Sequence, residues 1–357
     1  MHILLLAVIA FVVTAVAIVI LRPLSGKVGL LDHPDDLRKH HATPTPLCGG
    51  LGIIAGFVIA LLLAEQEFGA IGWPFIGALL PLLAVGVWDD VAETSARVRI
   101  GAQILGALIM VYAGHVVILH VGDLIETGHV MNLGAWAVPL TVFSVVGIIN
   151  GVNMLDGLDG LAGGVVFIAL GWFATAALIQ GAGAEAGVIF MLMGAVAGFL
   201  AFNLRHSRRG RASVFLGDAG STALGFALGW LSIRLSQGHA DALPPMAVVW
   251  IMAVPLLDTL TQIVRRLAQG RNPMAPDRNH LHHMLLRAGL SEGQTVGTLF
   301  IAAWLFGAVG VGAWRFGISM TFLFWGSLII YGGYLAVLAW GPRLRKHPQG
   351  AGSKIGR

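Results

Sequence analysis

From Ile3 to Leu21 the chain runs nineteen residues without a single charged side chain. A helix needs about 20 mostly apolar residues to cross a bilayer, and a soluble fold has little use for such a run. Comparable runs recur near 47–64, 71–88, 100–120, 134–151, 161–180, 186–203, 214–235, 243–263, 295–314 and 318–340. Together they predict an all-α, polytopic membrane protein with eleven transmembrane helices. Composition agrees: 57% of the 357 residues are hydrophobic and only 11% are charged, against about 25% charged in ordinary soluble proteins. Disordered, collagen-like and coiled-coil chains are excluded on the same ground. A single cysteine, Cys48, excludes a disulfide scaffold. Uninterrupted runs such as Leu79–Val87 and Val165–Ile179 oppose a β-barrel, whose strands alternate over about ten residues. The first run lacks a basic start and an Ala-x-Ala-like cleavage site, so it reads as a span and not as a signal peptide.

The net charge of +4 comes from loops between apolar runs, so it reads as a topology signal and gives no reason to expect nucleic acid as a partner. Of the 22 Lys and Arg residues, all but Arg234 and Arg315 fall in one set of loops. The positive-inside rule makes that side cytoplasmic, the N-terminus external and the C-terminus cytoplasmic. One transmembrane domain, 1–341, then carries cytoplasmic loops at 22–46, 88–100, 150–161, 204–218 and 264–294, followed by a basic tail at 342–357. The outer loops are short, among them Glu65–Ala70 and Val121–Leu133.

Chemistry concentrates in the cytoplasmic loops. Asp89 and Asp90 stand side by side in Val87-Trp88-Asp89-Asp90-Val91-Ala92-Glu93, where two carboxylates at a membrane boundary call for a cation, a lysine or a proton. On a helix Asp89 and Glu93 would share a face; a solvated helix end is the plain alternative. In the stretch Asn150–Gly164, Asn153, Asp156 and Asp159 recur every third residue and would line one helical stripe, among glycines that admit a ligand. A capped start to the next helix needs only one such residue. Asp218, in Gly217-Asp218-Ala219-Gly220-Ser221, suits Mg²⁺, which takes one or two carboxylates plus substrate phosphate; it also suits a plain N-cap. Pro276-Asp277-Arg278-Asn279-His280-Leu281-His282-His283 has no cysteine and no zinc-type spacing, so phosphate binding fits it better than zinc. Asp32, Lys39 and His41 belong to a basic, turn-rich first loop that reads either as a topology loop or as an anchor for an anionic head group. Asp258 is an intramembrane carboxylate, functional or paired with an arginine.

In this order, these segments resemble the polyprenyl-phosphate N-acetylhexosamine-1-phosphate transferases, from about Lys27 to Leu290. The stretches Asp32-x-Pro34…Arg38-Lys39-x-His41 and Pro276-Asp277-Arg278…His280-x-His282-His283 look closer to the N-acetylglucosamine branch than to the phospho-N-acetylmuramoyl-pentapeptide branch. The resemblance implies a phosphotransferase of the bacterial inner membrane, acting at its cytoplasmic face. UDP-N-acetylglucosamine and undecaprenyl phosphate would be its substrates, with membrane lipid around it and a homodimer as its assembly. The reaction would release UMP and start a cell-surface glycan. UDP-N-acetylgalactosamine and the pentapeptide-bearing sugar are alternative donors, and an ion-coupled transporter is the reading from another class.

Residue by residue, the resemblance makes Asp218 the Mg²⁺ carboxylate (Mn²⁺ being the alternative ion), with Asn153 near the metal. Asp159 and Leu158 would meet uracil, with Asp156 beside them and both aspartates counted among the catalytic carboxylates. Arg99 would hold the diphosphate. Asp89 and Asp90 would be the paired catalytic aspartates, Asp89 as base toward the lipid phosphate or, in a covalent route, as nucleophile. Arg278, His280, His282 and His283 would close over the nucleotide-sugar, and Asp32, Lys39 and His41 would meet substrate. Glu93 stands where some relatives have aspartate.

Overall fold

A computed structural model describes residues 3–32, 44–205, 210–237, 243–270 and 280–344. The described chain is helical almost throughout. Helix α1 (Ile3–Ser25) leads into a two-residue antiparallel pair, β1 (Leu31–Asp32) with β2 (Thr45–Pro46), and then α2 (Gly49–Leu63). There follow α3 (Glu65–Val91), α4 (Ala96–Tyr112), α5 (Ala137–Leu155), α6 (Leu161–Ile179), α7 (Gly183–Asn203) and α8 (Gly217–Gln237). The last five are α9 (Pro245–Ile251), α10 (Ala253–Ala268), α11 (Leu281–Arg287), α12 (Glu292–Arg315) and α13 (Met320–Leu344).

Every apolar run expected to cross the membrane carries helix. Among the described residues, α1, α3, α5 (with the preceding turn from Gly134), α6, α7 and α12 are each long and apolar enough to cross, and α9 with α10 makes a seventh candidate if counted as one bent span. The chain is thus a polytopic α-helical membrane protein. The apolar residues that point outward, such as Leu4, Val8, Phe11 and Val12 on α1, fit a lipid surround.

Helix α8 is the hub, packing on α2, α3, α5 and α6 and buried along nearly its whole length. Small residues explain how. Lipid tails give helices no hydrophobic reason to associate, so close backbone approach must supply the packing energy. A Cβ on Gly50 of α2 would stand 2.3 Å from Gly220 Cα, one on Gly86 of α3 2.5 Å from Ala219 Cα, and one on Gly225 2.6 Å from Ile149 Cα of α5. The approach to α8 is stitched to the approach to α2: Gly49 and Gly50 donate N–H bonds to the carbonyls of Phe215 and Leu216, at 3.0 and 2.9 Å.

Three expectations are corrected. The run 243–263 is not one straight span: α9 and α10 meet at 86°. Pro255 supplies a cause, since in an unbroken helix its ring would collide with the carbonyl of Ile251 and it has no N–H to give. Past the bend, α10 is amphipathic in the reverse of the soluble sense: Asp258, Thr261, Gln262 and Arg266 are buried while Leu260, Val264 and Leu267 are exposed. The run 100–120 stops being helical after Tyr112. Gly114 there lies against Trp230, leaving no room for a Cβ, and His115 takes a positive φ of 53°. Residues 65–70, expected as an outer loop, form the first turns of α3, with only Ala64 between α2 and α3.

Candidate active site

The polar motifs converge at one end of the bundle, where α3, α5 and α7 finish and α4, α6, α8 and α12 begin. Asp218 lies in the first turn of α8. Its Oδ1 accepts a bond from Asn153 Nδ2 at 2.6 Å, and the same amide nitrogen donates to Ser221 Oγ at 2.8 Å. Asn153 is on the last turn of α5, so one amide joins two helix ends.

Asp89 and Asp90 are consecutive but point to different partners, because neighbouring residues on a helix are turned by about 100°. Both oxygens of Asp90 cap α8: the backbone N–H of Asp218 donates at 2.7 Å and that of Ala219 at 3.1 Å. Gly217 leaves room for this cap, since a Cβ there would stand 2.7 Å from Asp90 Oδ2. Asp89 accepts from the N–H and Oγ1 of Thr94, at 2.6 and 2.7 Å, and forms a 2.7 Å ion pair with Arg99. Its carboxylate is also near enough to that of Asp218 for the two charges to act on each other. Glu93 does not share a helical face with Asp89: α3 ends at Val91, Glu93 is exposed, and Thr94 takes the inward place.

The stripe expected from Asn153 through Asp159 is interrupted. α5 ends at Leu155, and Gly160, at φ +80°, turns the chain into α6. Asp159 Oδ2 is taken by other partners, Arg205 Nε at 2.7 Å and the Ala212 N–H at 2.8 Å. Arg205 also pairs with Glu292 at the start of α12. Buried Asn203 fixes the same region, accepting from Gly160 N–H at 2.8 Å and donating to the Val214 carbonyl at 2.9 Å. Leu158 is half-buried against the core.

Asp156 is exposed to water, yet protein atoms crowd around it. That desolvation, followed by the charges of Asp218, Asp90, Asp159 and Asp32, pushes its carboxyl up to about 8. From about pH 4 to about pH 8 the folded protein thus holds a proton that the unfolded chain releases, so stability falls as pH rises through that window. Melting curves in detergent with EDTA should shift downward from pH 5 to pH 8, and Asp156→Asn should flatten the slope.

Of the histidine segment, His280, His282 and His283 are described; Arg278 is not, and neither are Lys39 and His41. Asp258, fully buried on α10, pairs with His280 Nδ1 at 2.9 Å and accepts the Leu281 N–H at 2.8 Å. The partners found for the intramembrane carboxylate are thus a histidine and a backbone amide. His282 is 1% exposed, its ring centroid is 4.1 Å from that of His283, and neither of its ring nitrogens has a partner among the described residues. Burial, then the charge of His283, holds it near 3, so it is neutral at physiological pH. A Cβ on Gly157 would lie 2.5 Å from His282 Nε2, so the histidine rests on the loop that carries Asp156 and Asp159.

Thr94, Asn203, Arg205, Ser221 and Glu292 were not singled out as site residues from the sequence. Two had a signal: Arg205 as one of the basic loop residues, and Ser221 as the end of the Gly217–Ser221 stretch. Among the described residues, no three His, Cys, Asp or Glu side chains form a ready metal cage. The neighbouring carboxylates of Asp89 and Asp218 nonetheless fit a hard divalent cation, because two such charges acting on each other call for a proton or a cation to offset them. Mg²⁺ typically uses one or two carboxylates and fills its other positions with water and phosphate.

The fold and the site define a class: an integral membrane protein with an acidic cluster at one end of its bundle. The model of the family described as glycosyl transferase family 4 matches residues 73–236, from α3 to the end of α8. Over 314 residues the chain is 34% identical to the undecaprenyl-phosphate alpha-N-acetylglucosaminyl 1-phosphate transferase of Salmonella typhi, covering 85% of this chain and 82% of that protein. The Yersinia pestis protein of the same name is 32% identical over 327 residues, covering 89% and 87%. The one from Haemophilus influenzae is 30% identical over 286 residues, covering 80% of each. The chain belongs to glycosyl transferase family 4.

Proposed function

We propose that this protein transfers N-acetylglucosamine-1-phosphate from UDP-N-acetylglucosamine to undecaprenyl phosphate, releasing UMP. The observation that carries the reading is the junction of Asp89, Asp90, Asn153 and Asp218 at one end of the bundle, in a chain similar over most of its length to transferases of that name. The Lys and Arg bias supports eleven spans, an external N-terminus and an active site on the cytoplasmic face of a bacterial inner membrane. The homodimer rests on the resemblance alone.

The chemistry is a displacement at phosphorus. A lipid phosphate oxygen attacks the phosphorus that bears the sugar. The bond from that phosphorus to the bridging oxygen breaks, and UMP leaves with the electron pair. Asp218 and Asp89 would hold Mg²⁺, or Mn²⁺, with Asn153 fixing the orientation of Asp218; the ion would neutralise diphosphate charge. Arg99 is exposed but anchored on Asp89, so its guanidinium is presented to a phosphate in one orientation. A phosphate monoester has its second pKa near about 6, so the lipid phosphate is mostly ready to attack at neutral pH. Asp89, with Thr94 and Arg99 on its oxygens, serves better as an orienting and metal-holding carboxylate than as a base. Asp156, Asp159 and Leu158 border the region for the nucleotide, with the neutral ring of His282 above them.

The test uses purified protein in detergent, undecaprenyl phosphate, Mg²⁺ and a panel of radiolabelled UDP-sugars. Label from UDP-N-acetylglucosamine should pass into organic-extractable lipid with matching UMP release, and EDTA should stop both. A folded, lipid-supplied sample that moves label from none of the sugars overturns the reading.

A further inference from the structure

We propose that Asp258 is a positioning residue of the sugar-nucleotide site: from within the broken membrane helix it clamps His280 and the start of α11, and so seats His282 on the Asp156–Asp159 loop. The sugar-nucleotide part rests on the transferase reading above; the clamp does not.

The geometry makes the clamp two-pronged. Oδ2 of Asp258 faces His280 Nδ1 at 2.9 Å, and Oδ1 takes the Leu281 N–H at 2.8 Å. One carboxylate thus fixes a side chain and a backbone amide of adjacent residues, leaving the entry to α11 little rotational freedom. Asp258 is fully buried, and a carboxylate removed from water needs such partners. Facing a carboxylate oxygen, Nδ1 of His280 is the ring nitrogen placed for that bond, which leaves Nε2 as the second ring nitrogen.

The clamp has a downstream consequence. The rings of His280 and His282 lie nearly parallel, 6° apart, with centroids separated by 5.9 Å, and His282 in turn abuts Gly157. His282 is buried with both ring nitrogens unpartnered among the described residues. A native protein rarely leaves such a group unsatisfied without a use for it. A neutral imidazole offers one donor and one acceptor, the complement a nucleotide-sugar can meet. The bonds of Asp258 go to His280 and to the Leu281 N–H, so its positioning effect passes through His280 and the seating of α11.

Two measurements test this, with Asp258→Ala, Asp258→Asn, Asp258→Glu, His280→Ala and the Asp258→Ala/His280→Ala double variant, each in the full chain. The first is hydrogen exchange: loss of the carboxylate should speed exchange across 280–287 and leave α12 unchanged. The second is kinetic. Asp258→Ala and His280→Ala should each raise the KM for UDP-N-acetylglucosamine by about tenfold to a hundredfold. The KM for undecaprenyl phosphate should stay at the wild-type value, and the double variant should be no worse than either single one. Asp258→Glu should recover part of the loss. If Asp258→Ala does not fold, Asp258→Asn, which keeps the volume and one acceptor, carries the same comparison. Unchanged exchange over 280–287 overturns the clamp. Faster exchange with additive losses, or with equal effects on both KM values, overturns the positioning role. A wild-type protein that turns over no UDP-sugar overturns the transferase reading, while exchange alone still decides the clamp.

Discussion

Asp218→Asn should lower transferase turnover by about 10³-fold, the scale seen when one charge-stabilising group is removed from an active site, and in EDTA it should melt at a higher temperature than the wild type. The two effects share a cause. Asp218 faces the Asp89 carboxylate, and Asp90 is held on its own backbone N–H. Without a cation that crowding is repulsive, so neutralising one member relieves it. Active sites commonly trade stability for such concentration of charge. Asparagine keeps the shape and can still meet Asn153, so the loss reports charge and not packing. UMP release across a Mg²⁺ titration, alongside melting curves, checks both halves. Unchanged Mg²⁺ dependence in the variant would refute the metal assignment.

Asp90→Ala should lose about 10²-fold in turnover and melt several degrees lower, the opposite sign in stability from Asp218→Asn. Two N–H groups in the first turn of α8 lose their acceptor, each at a cost of about 1–3 kcal/mol if left unpaired. The turn that carries Asp218 then loosens. Asp90→Asn keeps one acceptor and should lose only about tenfold. That ordering separates a capping carboxylate from an acid–base one, for which asparagine and alanine would be equally damaging. Equal losses in the two variants would return Asp90 to the chemistry proper.

Much of this was legible in the sequence, for a definite reason. Charge is expensive in a membrane, so carboxylates retained at the ends of apolar runs or within them stand out: Asp89, Asp90, Asp218 and Asp258 draw notice on that ground, and Asn153 by its spacing with Asp156 and Asp159. The fold class follows from the same scarcity. What the sequence could not show is which partner each group takes. Asp89 and Asp90 look equivalent in a line of letters, and only the rotation of α3 sends one to Arg99 and the other to α8. Thr94, Asn203 and Glu292 are ordinary polar residues until the tertiary fold brings Asp89, Gly160 and Arg205 to them. The break between α9 and α10 did leave a mark, Pro255 inside an apolar run, but proline also occurs within intact membrane helices, as Pro81 does in α3. The stripe through Asn153, Asp156 and Asp159 failed because periodicity says nothing about where a helix stops, and Gly157 and Gly160 were read as room for a ligand.

The glycine contacts around α8 set the mechanical character of the site. Where backbones touch, as at Gly50 with Gly220 and Gly86 with Ala219, no side chain remains between them to deform. A shift of α8 against α2 or α3 would have to break several contacts at once. Asp218, Asp89 and Asp90 therefore belong to one stiff body and act as a fixed jaw. The histidine side reaches that body by fewer and less intimate contacts, the Asp258 carboxylate on His280 and His282 on Gly157 among them, so it is the softer member. On the transferase reading, any adjustment to the donor would fall to that second jaw, with the reacting phosphorus registered against a frame that stays still.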